Sequence, residues 1–303
     1  MPHRLLLLPL IVACLVAQEP DPLAGYRMPT FLRVAPGQVL TLHLAGFALG
    51  VNEPQLAPGS DLTAPLAGVQ VSLRTTKTLA VPILGIAPTN TCGAVFVVGG
   101  CKGQRLLAIT IQIPFELDTG EGSGVISVSE GTNIAEYRVR IVPDQAHVIR
   151  ACDAQAILNG TYRPDCRSAI THSNGKPVSE EDPAHAGETL VAYLYGLGRP
   201  DAPVQTGTPT PAIAPRVSSL YSFSMLIRAA VPRWFDAQPG AISSEVQFVG
   251  MTPGSVGLYQ INFTVPTLTE ESVACVAAGD FTNATIIFQF PNSSAEAKFC
   301  IAK

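Results

Sequence analysis

Past its first twenty residues the chain carries His43, His147, His172 and His185, and none stands in a pattern that catalysis requires. No His-Glu-x-x-His is present to hold zinc beside a general base, and no Gly-x-Ser-x-Gly to seat a nucleophilic serine on an elbow. His43 lies between Leu42 and Leu44 in an alternating run, which predicts a histidine facing solvent from a strand. His172 precedes the turn signal Asn174-Gly175 and reads as a turn residue. The acidic runs Glu180-Glu181-Asp182 and Asp118-Thr119-Gly120-Glu121-Gly122 invite a calcium reading, because hard cations want clustered carboxylates. Neither has the ligand spacing of a known loop, so both are expected to be solvated acidic loops. No catalytic residue, metal ligand or cofactor site is assigned. A carboxylate pair for glycoside hydrolysis depends on spatial separation, so a secreted polysaccharide hydrolase with a pair assembled from loops stays as the alternative function.

Recognition chemistry is better represented. Trp234 and Phe235 stand beside Arg233, with Arg228 close by, and Trp with Arg is common hot-spot chemistry at binding surfaces. These four residues form the candidate binding surface, weighed against a tryptophan that packs into the core. Four sequons, at Asn159, Asn262, Asn283 and Asn292, are read as accidental.

Residues 1–17 join a short basic start to an apolar run and small residues, the form of an export signal too short to span a bilayer. Cleavage after Ala17 competes with lipidation at Cys14, because Ile11-Val12-Ala13-Cys14 resembles a lipoprotein box. The other cysteines are Cys92, Cys101, Cys152, Cys166, Cys275 and Cys300. An even set in an exported chain argues for disulfides, and sequential pairing (Cys92 with Cys101, Cys152 with Cys166, Cys275 with Cys300) is the economical expectation. With 19 basic against 23 acidic residues, the chain has no basic field to hold nucleic acid. No further stretch is long and apolar enough to span a membrane, so the expected place is secreted, periplasmic or cell-surface.

The elements that must position these residues are short strands. The chain has 26 prolines in 303 residues, unfavourable to long helices. Residues 35–50, Gly turn, alternating strand and Gly corner, have a counterpart at 186–198. Residues 107–114 answer 258–266, each an alternating strand stopped by proline, and Gly85-Ile86-Ala87-Pro88 answers Gly250-Met251-Thr252-Pro253. Three landmarks in one order predict two copies of one unit. Ile109, Ile111 and Ile113 point one way and Thr110 and Gln112 the other, as in a sheet with one buried face. Each copy ends in a hairpin, around residues 130–133 and 291–294. The expected fold is all-β, two tandem Ig-like β-sandwiches over residues 29–142 and 184–303, joined by a disulfide-stiffened connecting segment over 143–183. The second copy carries the longer insertion, residues 200–240, which holds the candidate surface.

The residues 170–178, 182–189 and 195–198, with Met251-Thr252-Pro253-Gly254-Ser255-Val256-Gly257-Leu258-Tyr259-Gln260-Ile261-Asn262 and Val265-Pro266, resemble the Solibacter-type uncharacterised C-terminal domain of acidobacterial secreted proteins. The resemblance covers about residues 29–303. Asn174, Asp182 and Tyr195 depart from the family's usual Asp, Asn and Thr, and the six cysteines are extra. It implies paired IPT/TIG-type Ig-like modules and export, and supplies no catalytic residue. The function expected is that of a non-catalytic envelope or extracellular protein in adhesion, structure or ligand binding, its partner a glycan or an envelope protein.

Overall fold

The computed structural model describes residues 32–58, 62–89, 97–98, 106–150, 167–218, 220, 222–227, 241–242, 245–267, 275 and 282–302. They form two β-sandwiches of Ig-like build within one compact unit that spans Phe31–Lys303.

The first sandwich is built from β1 (Leu32–Val34), β2 (Val39–Ala45), β3 (Gln55–Leu56), β4 (Val69–Arg74), β5 (Thr78–Ala80), β6 (Ile83–Thr89), β7 (Val97–Val98), β8 (Leu106–Gln112), β9 (Ser123–Glu130) and β10 (Asn133–Ile141). One sheet runs β1-β10-β9-β4-β5 and the other β3-β6-β8-β2-β7. Their inner faces share a core that includes Leu73, Ile126 and Val139 from one sheet and Leu44, Ile109 and Ile111 from the other. Period-two patterning puts them there: β10 alternates exposed and buried residues from Glu136 to Ile141.

The second sandwich uses β11 (His147–Val148), β12 (Ile170–His172), β13 (Thr189–Tyr195), β14 (Ser222–Ile227), β15 (Ala241–Ile242), β16 (Val246–Met251), β17 (Tyr259–Thr264), β18 (Ala284–Gln289) and β19 (Ser294–Phe299). The sheets run β11-β13-β17-β16, with β12 also on β13, and β15-β14-β18-β19. Their core gathers Phe223, Phe263, Phe288 and Phe299, with ring centroids 5.7 to 6.4 Å apart, the spacing favoured by tilted aromatic pairs.

The internal repeat is present in the pairing register. Leu42 faces Ile109 in β2–β8, and Ala192 faces Ile261 in β13–β17. Gly37 and Gly187 hold φ of +74° and +80°, and the corner glycines Gly46 and Gly196 both hold +78°, a backbone that favours glycine. The third landmark is displaced. Ile86 faces Ile109 and Val249 faces Ile261, so the structural offset is 163 residues (249 − 86), whereas the Gly-x-x-Pro motifs lie 165 apart (250 − 85). What the copies share there is a bulge, between Ile83 and Gly85 in one and between Val246 and Phe248 in the other, again at an offset of 163 (246 − 83).

Two further expectations are corrected. The segment 143–183 is not a mere connection, because β11 and β12 within it both pair with β13 and belong to the second sandwich's sheet. His43 does not face solvent. It is buried, its Nδ1 lacks a hydrogen-bond partner, and burial pushes its pKa down. On that side of β2 Val39 and His43 are buried and Thr41 and Ala45 half-buried, so alternation there does not separate core from solvent.

Candidate functional site

The four residues of the candidate binding surface, Arg228, Arg233, Trp234 and Phe235, lie outside the described residues, as do Cys92, Cys101, Cys152 and Cys166. Cys275 and Cys300 do pair, with Cα atoms 5.5 Å apart. In the described part of the same insertion, residues 200–218, the segment 215–217 runs antiparallel along the edge of β16. Val217 N–H donates to the Val249 carbonyl at 3.0 Å and Met251 N–H to the Pro215 carbonyl at 2.9 Å. Beside that contact is an open cleft of about 320 Å³ lined by Asp201, Arg216, Ser218 and Phe248 among others. The Arg216 guanidinium lies 5.1 Å from the centre of the Phe248 ring, a cation–π arrangement. Ser218 Oγ lies 2.9 Å from each carboxylate oxygen of Asp201.

The acidic runs are structural. Asp118 caps a short 3-10 turn by accepting from Gly120 N–H, and Glu121 accepts from Thr76 N–H at 2.8 Å. In the second run, Ser179 Oγ accepts from Glu181 and Asp182 N–H groups, and Glu180 stands 3.6 Å from Arg167. Among the described residues no group of three or more His, Cys, Asp or Glu could hold a metal ion.

His172 does more than close a turn. Its Nδ1 donates to Glu188 at 2.5 Å and its Nε2 to the Asp182 carbonyl at 3.2 Å, with the Asp182 carboxylate 3.8 Å away. Both partners are acceptors, so the ring satisfies both only when it carries both protons. Burial alone would lower its pKa, but the Glu188 hydrogen bond, aided by Asp182, outweighs burial and raises it. For Glu188 burial acts upward, and the His185 N–H and His172 bonds bring it down overall. The first copy has a neutral version. Gln38 accepts from Ala35 N–H at 2.9 Å, as Glu188 accepts from His185 N–H at 3.0 Å, 150 residues later (188 − 38).

The seam between the sandwiches is a dense polar arrangement, and nothing in the sequence pointed to Asp144, Arg33 or Arg199 as its members. Asp144, fully buried, accepts from the Asn292 N–H and amide and from Ser293 Oγ, the last at 2.6 Å. Arg33 donates to the Asn292 carbonyl at 2.8 Å. Arg199 donates to the carbonyls of Phe115 and Leu117 at 2.9 and 2.5 Å. Gln112, expected on an open face, is fully buried because the second sandwich covers it, and Gly207 N–H donates to its side chain at 2.8 Å. Tyr259 donates to the Gly198 carbonyl, and burial raises its pKa strongly. A Cβ on Gly37 would stand 2.0 Å from the Phe115 ring, and one on Gly257 would stand 2.7 Å from Val39. Phe115, from the first sandwich's chain, joins the second sandwich's core.

No protein-family model and no curated protein matches this chain. Solved structures similar to it include a titin fragment (9% identity, 90% of this chain and 95% of that one, TM-score 0.19). A bovine butyrophilin (9%, 91% and 97%, 0.22) and tandem titin Ig domains (8%, 89% and 91%, 0.19) are two more. Likeness at these scores carries no argument, and the fold rests on the strands described above.

Two of the sequon asparagines have structural roles. Asn292 spends its amide on Asp144, and Asn283, buried, donates to the Ile301 carbonyl at 2.8 Å. Among the described residues no helix is long and apolar enough to cross a membrane.

Proposed function

We propose that this chain is an exported, non-catalytic Ig-like protein of the bacterial envelope or extracellular space, a rigid two-module scaffold that presents a ligand-binding surface on its second sandwich. The observation that carries this reading is the filled seam. Two-domain enzymes commonly place their sites in the crevice between domains. Here that place is taken by Phe115, Gln112 and Tyr259 and by glycines approached too closely to carry a side chain. The fixed acidic loops point the same way, since the carboxylates of Asp118 and Glu121 accept from backbone N–H groups and Asp182 gives its backbone carbonyl to His172. Export is supported by the short apolar leader and by the Cys275–Cys300 bridge, which suits an oxidising compartment. Membership of the Solibacter-type family belongs to this proposal and accords with both. The recognition surface is assigned to residues 200–240, where the cleft at Arg216 and Phe248 adjoins the insertion that carries Arg228, Arg233, Trp234 and Phe235, because loops on a rigid scaffold are where binding residues concentrate.

The test is a glycan and envelope-protein binding screen on the mature protein, repeated with Trp234→Ala/Phe235→Ala. Binding that is lost in the variant at unchanged melting temperature supports the assignment. Turnover of a polysaccharide that disappears on mutating one acidic pair overturns the non-enzyme reading.

A further inference from the structure

The chain path decides which bonds a pull along the molecule would strain. In the first sandwich β1 and β10 are parallel neighbours, with Leu32 opposite Val139, Arg33 opposite Arg140 and Val34 opposite Ile141. The described chain enters this sandwich by β1 and leaves it by β10. Tension between the segments before residue 32 and after residue 141 therefore acts along the two strands in opposite senses. The ladder is sheared, so its hydrogen bonds share the force, whereas an antiparallel hairpin pulled from its open end yields one bond at a time. The Val34 carbonyl accepts from Val142 N–H at 2.9 Å. By the alternation of a parallel ladder, Leu32 also turns its backbone groups toward β10.

The second sandwich has a different safeguard. Its last strand, β19, ends beside Cys300, which is bonded to Cys275. Force arriving from beyond residue 300 passes through that covalent bond to residue 275, so the β18–β19 hairpin between them is bypassed. A short parallel clasp recurs at the same place. Ala184 stands parallel to Ile301, donating to the Cys300 carbonyl at 3.0 Å and accepting from Ala302 N–H at 2.7 Å. Between the sandwiches, Arg33 on the sheared strand and Asp144 just past β10 both grip the β18–β19 turn, through Asn292 and Ser293.

We propose that this chain transmits tension along its length, with the β1–β10 ladder bearing it in the first sandwich and the Cys275–Cys300 bond in the second. The inference rests on the structural and adhesive reading above only for the source of the tension. The mechanics follow from register and connectivity.

Single-molecule force spectroscopy tests it, with the full chain held by its two ends, as wild type and as Leu32→Pro, with and without dithiothreitol. Proline at 32 deletes one ladder N–H from an edge strand. The expected result is loss of the first sandwich's high-force event while the melting midpoint falls by only a few degrees. Ile126→Val, which loosens the core and leaves the ladder intact, lowers the midpoint and keeps the event. Under reductant, the second sandwich's unfolding should lengthen by about 9 nm from this bond, the 25 residues between the cysteines at roughly 3.6 Å each, with about 5 nm more from the expected Cys152–Cys166 bridge, and should occur at lower force. Unfolding of Leu32→Pro at the wild-type force overturns the proposal, as does an extension that reductant leaves unchanged. The reductant arm needs no variant, so it decides even if Leu32→Pro fails to fold. No ligand enters these measurements, so a chain that resists force yet binds nothing sinks the binding surface and leaves the tension proposal standing.

Discussion

Gln38 and Glu188 occupy one place in two copies of a unit and differ by a charge, and His172 answers that charge in the second copy. The raised pKa of His172 has a definite sign in stability. Its contribution is fully present below the unfolded histidine value, about 6.5, and is lost as pH rises through the higher folded value. Glu188, with a lowered pKa, contributes above the unfolded carboxylate range and loses that contribution as pH falls through its folded value. Wild-type protein should therefore lose about 1 to 3 kcal/mol, the worth of a charge-assisted bond, as pH rises through the neutral range and beyond. Urea midpoints against pH check this, and in His172→Gln that part of the slope should vanish. Glu188→Gln restores the first copy's arrangement and keeps an acceptor for His185 N–H. In it, burial acts on His172 against Asp182 alone, and an NMR titration of the imidazole should move down from the wild-type position. An unmoved titration would show that Glu188 is not the cause.

At the scale of elements, the two corner glycines share a backbone conformation and differ in what surrounds them. Nothing lies within 4 Å of a Cβ built on Gly46, whereas one on Gly196 would stand 2.1 Å from the Gln145 carbonyl oxygen. Gly46→Ala should cost about 1 kcal/mol, the strain of a left-handed residue, and Gly196→Ala several times that, because backbone must also move. Chemical denaturation of the two variants measures the difference. The strands and hairpins were legible because period-two patterning and turn residues are local. Ile109, Ile111 and Ile113, and both closing hairpins, fall where the alternation puts them. Burial of His43 and Gln112 was not legible, since a polar residue at an alternating position reads as solvent-facing whatever lies above it, and for Gln112 the cover at Gly207 comes from distant chain. The displaced third landmark has a related cause. Gly-x-x-Pro is a composition match, whereas a bulge is a property of two paired strands and leaves no fixed residue signature. His172 looked like a turn residue because its partner, Glu188, lies on the far side of a loop.

For the whole molecule, the seam decides whether there are two folding units or one. Asp144→Ala removes the acceptor for the Asn292 N–H and amide and for the Ser293 hydroxyl; Asn292 is exposed and Ser293 half-buried, so water takes up those donors and the loss should cost about 1 kcal/mol. Calorimetry on wild type should give a single transition. Asp144→Ala/Arg199→Ala, which loosens both edges of the seam, should separate it into two, and a variant that still melts in one step would show that the apolar contact at Phe115 suffices. Two of these seam residues have a recognisable sequence context, Asp144 just after Val142-Pro143 and Asn292 in the closing turn, yet nothing in either segment names its partner 148 residues away.

The joint is also one-directional. The register that sets Val39 opposite Gln112 and Thr189 opposite Thr264 makes Thr264 the second copy's version of Gln112, and by the same spacing Thr267 stands where Phe115 does. Tyr259, which reaches back to the joint, has Leu107 as its first-copy equivalent, with no hydroxyl to offer. The duplicated units are thus no longer interchangeable: one has become a socket and the other a plug. Exchanging their order would set Thr264 and Thr267 against Leu107, with no counterpart of the Gln112 amide, the Phe115 ring or the Tyr259 hydroxyl at the joint, so the pair behaves as a matched dyad whose two sides cannot trade places.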